Sequence, residues 1–263
     1  MEEAPTVFVT GTAGAGKTTF VRAFVGWLRA EGHDATVVNL DPGLEGDAID
    51  PDVDIREWVR LADIQDEYGL GPNGAQVAAA DMIALKIFEV KQAISQHPSD
   101  LVLVDTPGQI ELFAFREASR AIVDALGGEE CAIAFLFDPA LARSAPGFVS
   151  LLLLSATVEF RLRRPMVNVL TKSDALTPEQ LAEIAAWSDE PGALYEAVTR
   201  DPPTPDVQLS TEVLRGIDTM GPLTGLFPTS AQAGTGLDTF YRATRRIFAG
   251  GEDLEPSQPP PGE

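Results

Sequence analysis

The 263 residues contain one cysteine, two histidines and only four lysines, and each scarcity excludes something. With Cys131 alone, no disulfide can form within the chain; its apolar neighbours mark it as a buried strand residue. His33, His97 and Cys131 share no ligand spacing, which disfavours a metal-delivery role. The lysines are Lys17, Lys86, Lys91 and Lys172, and 19 basic residues in all face 40 acidic ones, a formal net charge of −21. So acidic a chain is a poor partner for nucleic acid or anionic lipid, and neither is expected to bind it directly. No apolar stretch approaches the roughly 18 residues that cross a bilayer. The N-terminus, Met1-Glu2-Glu3-Ala4-Pro5, is acidic and unlike a signal peptide, so the expected location is cytoplasmic.

What is abundant is apolar strand and glycine turn. Thr6-Val7-Phe8-Val9-Thr10 reads as a buried strand. It runs into Gly11-Thr12-Ala13-Gly14-Ala15-Gly16-Lys17-Thr18, which matches G-x-x-x-x-G-K-[ST], the phosphate-binding P-loop. Thr19 to Leu28 then carries apolar residues at helical spacing. Without Cβ atoms, the glycines let backbone N–H groups ring a phosphate, and the following helix N-terminus adds more of them. Lys17 would reach the β- and γ-phosphates, and the Thr18 hydroxyl would hold Mg²⁺.

Further strands are expected at 35–41, 101–105, 131–137, 166–170 and 226–230. Helices are expected at 55–68, 75–96, 110–126, 147–163 and 237–248, and one opens at Thr177-Pro178-Glu179-Gln180 with a capping box. Apolar strands alternating with helices specify an α/β fold, a mostly parallel sheet with helices on both faces. One domain is expected over 1–248, with insertions at about 55–96 and about 189–225. The latter is Pro-rich at 201–205, with short helices around 192–199 and 209–219. Residues 249–263, rich in Gly, Pro and acid, read as a disordered tail.

In such sheets ligands bind beyond the C-terminal strand ends, where the P-loop, Asp41 and Asp105 all fall. Asp105, opening Asp105-Thr106-Pro107-Gly108-Gln109, is placed to hold Mg²⁺ directly or through water; the plain alternative is a strand-end turn. Gly108 would offer an N–H to the γ-phosphate, and Gln109 would orient the attacking water unless it is only a helix-start residue. Asp41 is either a metal-shell ligand, a water-polarising group or the opening of an Asp-Pro turn. In Thr171-Lys172-Ser173-Asp174 a carboxylate can pair with both N1–H and N2–H₂ of guanine, while the Lys172 stem covers the base plane. Ser230-Ala231 would supply an N–H to guanine O6. Adenine stays open as an alternative, because Thr171 stands where the usual N-K-x-D motif has Asn.

Gly71-Pro72-Asn73 alone reads as a turn. Together with Gly11–Thr18, Thr19, Asn39-Leu40-Asp41-Pro42, Asp105–Gln109 and Thr171–Asp174, in this order, it resembles the GPN-loop GTPases from about Thr6 to Phe248. That resemblance implies a P-loop NTPase of the SIMIBI class, GTP/GDP and Mg²⁺ as ligands, and a homodimer. It also implies that Gly71, Pro72 and Asn73 reach across to the partner's γ-phosphate. A multisubunit client such as RNA polymerase follows only by analogy with eukaryotic relatives. Two other functions remain: an ATPase of the same superclass, and an assembly factor shaped by bound nucleotide with incidental hydrolysis.

Surplus carboxylate with little lysine is how proteins stay hydrated in concentrated salt. The unfolding midpoint is therefore expected to rise from low salt to molar KCl; equal stability in both would remove the idea of salt adaptation.

Overall fold

Alternating side chains on buried strands build two cores, one on each face of a single sheet. The computed structural model describes residues 4–44, 46, 49–200, 205–218 and 225–250. Its strands are β1 (Thr6–Gly11), β2 (Ala35–Asn39), β3 (Val53–Asp54), β4 (Leu101–Asp105), β5 (Cys131–Phe137), β6 (Met166–Leu170) and β7 (Leu226–Pro228). They lie in the order β3-β2-β4-β1-β5-β6-β7, all parallel. The helices are α1 (Lys17–Ala30), α2 (Leu61–Tyr68), α3 (Pro72–Leu85), α4 (Ile87–Ile94), α5 (Ser119–Gly127) and α6 (Pro139–Ala142). They continue with α7 (Ala145–Leu162), α8 (Pro178–Asp189), α9 (Pro191–Thr199), α10 (Pro205–Asp218) and α11 (Leu237–Phe248).

Val7 and Val9 of β1 join Phe20, Phe24 and Leu28 of α1 and Phe240 of α11 in one core. Phe8, between them, points the other way and joins Ile83, Phe113, Val123 and Phe148. This is the period-2 alternation of a strand buried on both faces. The central β1 pairs with β4 on one side and β5 on the other, so their C-terminal loops part around the P-loop. That divergence is the crevice in which doubly wound sheets bind ligands.

The parallel α/β architecture agrees with expectation; several boundaries do not. The expected helix 55–68 splits into a 3₁₀ turn at Ile55–Glu57 and α2, because the Asp54 carboxylate accepts Arg56 N–H and Val59 is buried. The expected helix 75–96 begins at Pro72, which suits the first helical position, and breaks at Lys86 into α3 and α4. The segment 110–118 is not continuous helix: beyond a 3₁₀ turn at Ile110–Leu112, Arg161 takes the carbonyls of Ala114 and Phe115, and the Ser119 hydroxyl takes that of Phe113. Those carbonyls are thereby withdrawn from a helical ladder. The short β3 and α6 carried no periodicity to read, and α10 starts earlier than expected. The Thr177–Gln180 capping box forms in both directions. The proline-rich 201–204 and the tail from 251 lie outside the described residues.

One expectation needs correcting. Among the described residues α7 is 18 residues long with mean hydropathy 1.4, enough by length and composition to cross a membrane. Glu159 and Arg161 interrupt its apolar run, so scanning for unbroken runs missed it. Its Phe148, Val149, Leu151, Leu152, Val158 and Leu162 are buried in the core, which accounts for the apolar composition.

Cys131 is buried at the start of β5, and burial pushes its thiol from the ordinary 9.0 up to about 12. The unfolded chain ionises first, so this group lowers stability as pH climbs from about 9 to about 12. A thiol reagent at neutral pH is expected to spare the folded protein and label it fully in denaturant; fast labelling of the native chain would contradict the burial.

Candidate functional site

The site begins where β1 stops. Gly11, Gly14 and Gly16 have φ of 153°, 79° and 90°, values that L side chains rarely adopt, so the loop can curl its amides inward. At Gly11 a Cβ would also lie 3.0 Å from the Leu136 carbonyl oxygen of β5. Gly16 caps α1, and Lys17 and Thr18 fill its first turn.

Lys17 Nζ donates to the carbonyls of Gly11 (2.9 Å), Thr12 (3.2 Å) and Gly108 (2.7 Å). All three ammonium donors thus have acceptors. Burial lowers the Lys17 pKa, while the charges of Asp105, Asp41 and Glu111 oppose that fall. The Thr18 hydroxyl donates to Asp105 Oδ2 at 2.6 Å. Asp105 Oδ1 is buried with no hydrogen-bond partner among the described residues. Burial raises the Asp105 pKa to about 6, against the pull of Thr18 and Lys17. A buried carboxylate oxygen without a partner, beside a hydroxyl, is a hard-oxygen donor set that fits Mg²⁺. Among the described residues no three His, Cys, Asp or Glu cluster.

Asp41, two residues past β2, uses both carboxylate oxygens on backbone: Oδ1 accepts Gly43 N–H at 2.9 Å and Oδ2 accepts Gly108 N–H at 3.0 Å. Asn39 braces it, accepting Asp41 N–H and donating to the Asp41 carbonyl and to Asp54. Gln109 is exposed and donates to Gln76 of α3 at 3.4 Å. Ala13, Gly14, Asp41, Gly108, Gln109 and Gln76 border a cavity of about 190 Å³.

A second cavity, about 140 Å³, opens beside Ala15, Gly16 and Thr19 and is closed by Thr171, Lys172, Asp174 and Ala231. Thr171 is buried, and its hydroxyl donates to the Ala15 carbonyl at 2.8 Å. The residue that departs from N-K-x-D therefore still ties this loop to the P-loop. Lys172 has φ 50° and donates to the Gly14 carbonyl (2.6 Å) and to Asp138 (2.9 Å). Asp174 lies exposed at the mouth, and one of its oxygens accepts the Ser230 hydroxyl. The Ser230 side chain in turn accepts Ala233 N–H.

The structure thus brings together the P-loop, Asp41, Asp105–Gln109, Thr171–Asp174 and Ser230-Ala231. Gly71, Pro72 and Asn73 stand apart, exposed at the start of α3. Pro72 borders a cleft of about 840 Å³, which shares Pro42, Gly43 and Gln76 with the smaller cavity around Gly108. Sequence reasoning overlooked Asp138, Gln76 and the Asp54–Arg56 pair that anchors Asn39. Asp138-Pro139 follows a buried strand as Asp41-Pro42 does, and that shared pattern was a readable signal for Asp138.

Residues 9–250 match a family model described as "Conserved hypothetical ATP binding protein". GPN-loop GTPase 3 of Aspergillus fumigatus is 31% identical over 220 residues, covering 78% of this chain and 75% of that protein. The chain belongs to the GPN-loop GTPase family. GPN-loop GTPase 1 of Schizosaccharomyces pombe is 28% identical over 198 residues, and this chain spans 53% of its length, about half. The fold also matches a GTPase from Pyrococcus abyssi, solved in apo form, with TM-score 0.81 and 25% identity over 92% of this chain and 96% of that one. In this GPN-loop chain the cavity around Asp174 opens directly beside Ala15 and Gly16 of the P-loop.

The Thr171–Ala15 bond can be tested directly. Thr171→Ala would leave the buried Ala15 carbonyl short of a donor, and a loss of about 1–2 kcal/mol in unfolding free energy is expected from denaturant titration. A Thr171→Ser variant keeps the hydroxyl and is expected to keep most of the stability.

Proposed function

We propose that this chain is a Mg²⁺-dependent GTPase that works as a homodimer, a switch or assembly factor for a larger protein complex. The observation that carries the reading is the Thr171–Asp174 loop, tied at one end by the Thr171 hydroxyl to the Ala15 carbonyl and at the other by Asp174 to the Ser230 hydroxyl. It joins a carboxylate suited to the guanine edge to the loop suited to its phosphates.

In this reading the P-loop amides and Lys17 spread the negative charge of the β- and γ-phosphates. Thr18 and Asp105 would hold Mg²⁺, which supplies positive charge to the phosphate oxygens. Asp174 accepts from guanine N1 and N2, and the Lys172 stem, fixed by Gly14 and Asp138, covers the ring. Gln109 positions the attacking water. The partner's Gly71-Pro72-Asn73 adds amide donors from across the dimer; its exposure and its place on the rim of the larger cleft support that role. Turnover is slow without help, because phosphoryl transfer depends on positioning and added charge. The client stays at the level of class: a multisubunit assembly, with RNA polymerase suggested by family analogy. A cytoplasmic location accords with the acidic composition.

An adenine-specific reading draws on the family model's description. Competition at equilibrium separates the two: GTP is expected to displace a labelled guanine nucleotide while equal ATP does not. In the same preparation Asn73→Ala is expected to cut turnover about tenfold or more with GTP affinity nearly unchanged. Loss of binding with normal turnover per bound nucleotide would defeat the trans assignment.

A further inference from the structure

Gly108 is gripped at both ends of its residue. Its carbonyl accepts Lys17 Nζ at 2.7 Å, and its N–H is donated to Asp41 Oδ2 at 3.0 Å. The contact with Asp41 is built rather than incidental. Oδ1 is fixed by Gly43 N–H, the Asp41 backbone N–H by Asn39 Oδ1, and Asn39 in turn by Asp54, which holds Arg56 through three short contacts of 2.6–3.0 Å. A carboxylate so braced presents one anionic oxygen to one particular amide. That amide lies on the cavity shared with Ala13 and Gly14 of the P-loop, where a third phosphate would lie.

We propose that Asp41 is an internal rival of the γ-phosphate, and that this rivalry sets how strongly the site prefers a triphosphate over a diphosphate. The inference rests on the triphosphate reading above and adds to it. Both rivals are anionic oxygens, and an N–H has room for one strong acceptor. Binding of a third phosphate then requires Asp41 to give up Gly108. It also brings two negative groups to the same cavity, which tells against a triphosphate. A diphosphate, lacking the third group, leaves the Asp41–Gly108 bond in place. The grip of Lys17 on the Gly108 carbonyl makes the same residue respond to both signs of charge. Displacing Asp41 therefore releases Pro42 and Gly43 on one side and the Gly108-Gln109 segment on the other. Through Gln109 and its contact with Gln76, that release reaches α3 three residues after Asn73.

The rivalry separates Asp41 from Asp105. Asp105 is tied to Thr18 and keeps a buried oxygen without a partner, which calls for a cation. Both oxygens of Asp41 already have amide donors, so what it meets on ligand binding is exchange of partners.

The test is the ratio of affinities for a non-hydrolysable triphosphate and the matching diphosphate. It is measured by calorimetry in Mg²⁺ on the full chain, for wild type and Asp41→Asn, with guanine and adenine nucleotides in parallel. Asp41→Asn keeps an acceptor of the same shape and removes the charge. The triphosphate to diphosphate ratio is expected to rise about tenfold, with diphosphate affinity unchanged. An unchanged ratio, or a fall in triphosphate affinity, would overturn the proposal and leave Asp41 as a ligand of metal or water. Asn39→Ala, which removes the brace and leaves the charge, is expected to shift the ratio in the same direction by a smaller factor. Should the wild type prefer adenine nucleotides, the base assignment fails while the ratio still decides the role of Asp41. Amide exchange at Gly108 gives a second readout: Asp41→Asn is expected to speed it without nucleotide, and an unchanged rate would speak against the tie.

Discussion

The ammonium of Lys17 is the interaction on which the rest of the site depends. One side chain joins the start of the P-loop, its second residue and the Gly108 segment, three pieces of backbone from two separate crossovers. It can do so only because β1 lies between β4 and β5, so that the loops after β1 and β4 leave the sheet side by side. Burial weakens the hold of Lys17 on its proton, and the neighbouring carboxylates Asp105 and Asp41 oppose that loss in part. The charge is thus held in place by the groups it serves, a balance that phosphate oxygens can enter by replacing carbonyl acceptors.

Around this cation the remaining chemistry divides by strand end. Asp41 lies two residues past β2, Asp105 ends β4, and Thr171 directly follows β6. Each group does a different job because each has a different set of partners. Asp105 is buried beside a hydroxyl, Asp41 is wrapped by amides, and Asp174 is left exposed at a cavity mouth. In the proposed reading three carboxylates of ordinary chemistry would serve as a metal ligand, a charge-competing loop tie and a base reader through their surroundings alone.

The parallel sheet was legible because its central strands are uninterrupted apolar runs, such as Val7-Phe8-Val9 and Leu101–Val104, which no amphipathic helix would show. The phosphate loop was legible because only glycine tolerates φ near 80–90° at Gly14 and Gly16. What escaped was set by tertiary contacts. Nothing local in residues 113–118 announces that Arg161, some 45 positions later, takes two of their carbonyls and unwinds the expected helix. Nor could Thr171 be known to reach the Ala15 carbonyl, a bond across 156 positions that ties its loop to the P-loop. The membrane-like composition of α7 was hidden by two charged residues and explained by its buried face.

The account stands or falls on one crystal structure with Mg²⁺ and a non-hydrolysable GTP analogue. It predicts Lys17 and the Gly108 N–H turned to the γ-phosphate, Asp105 and Thr18 on the metal side, and Asp174 paired with the guanine edge. A triphosphate bound anywhere other than the P-loop, or a base lying outside the Thr171–Asp174 cavity, would contradict it.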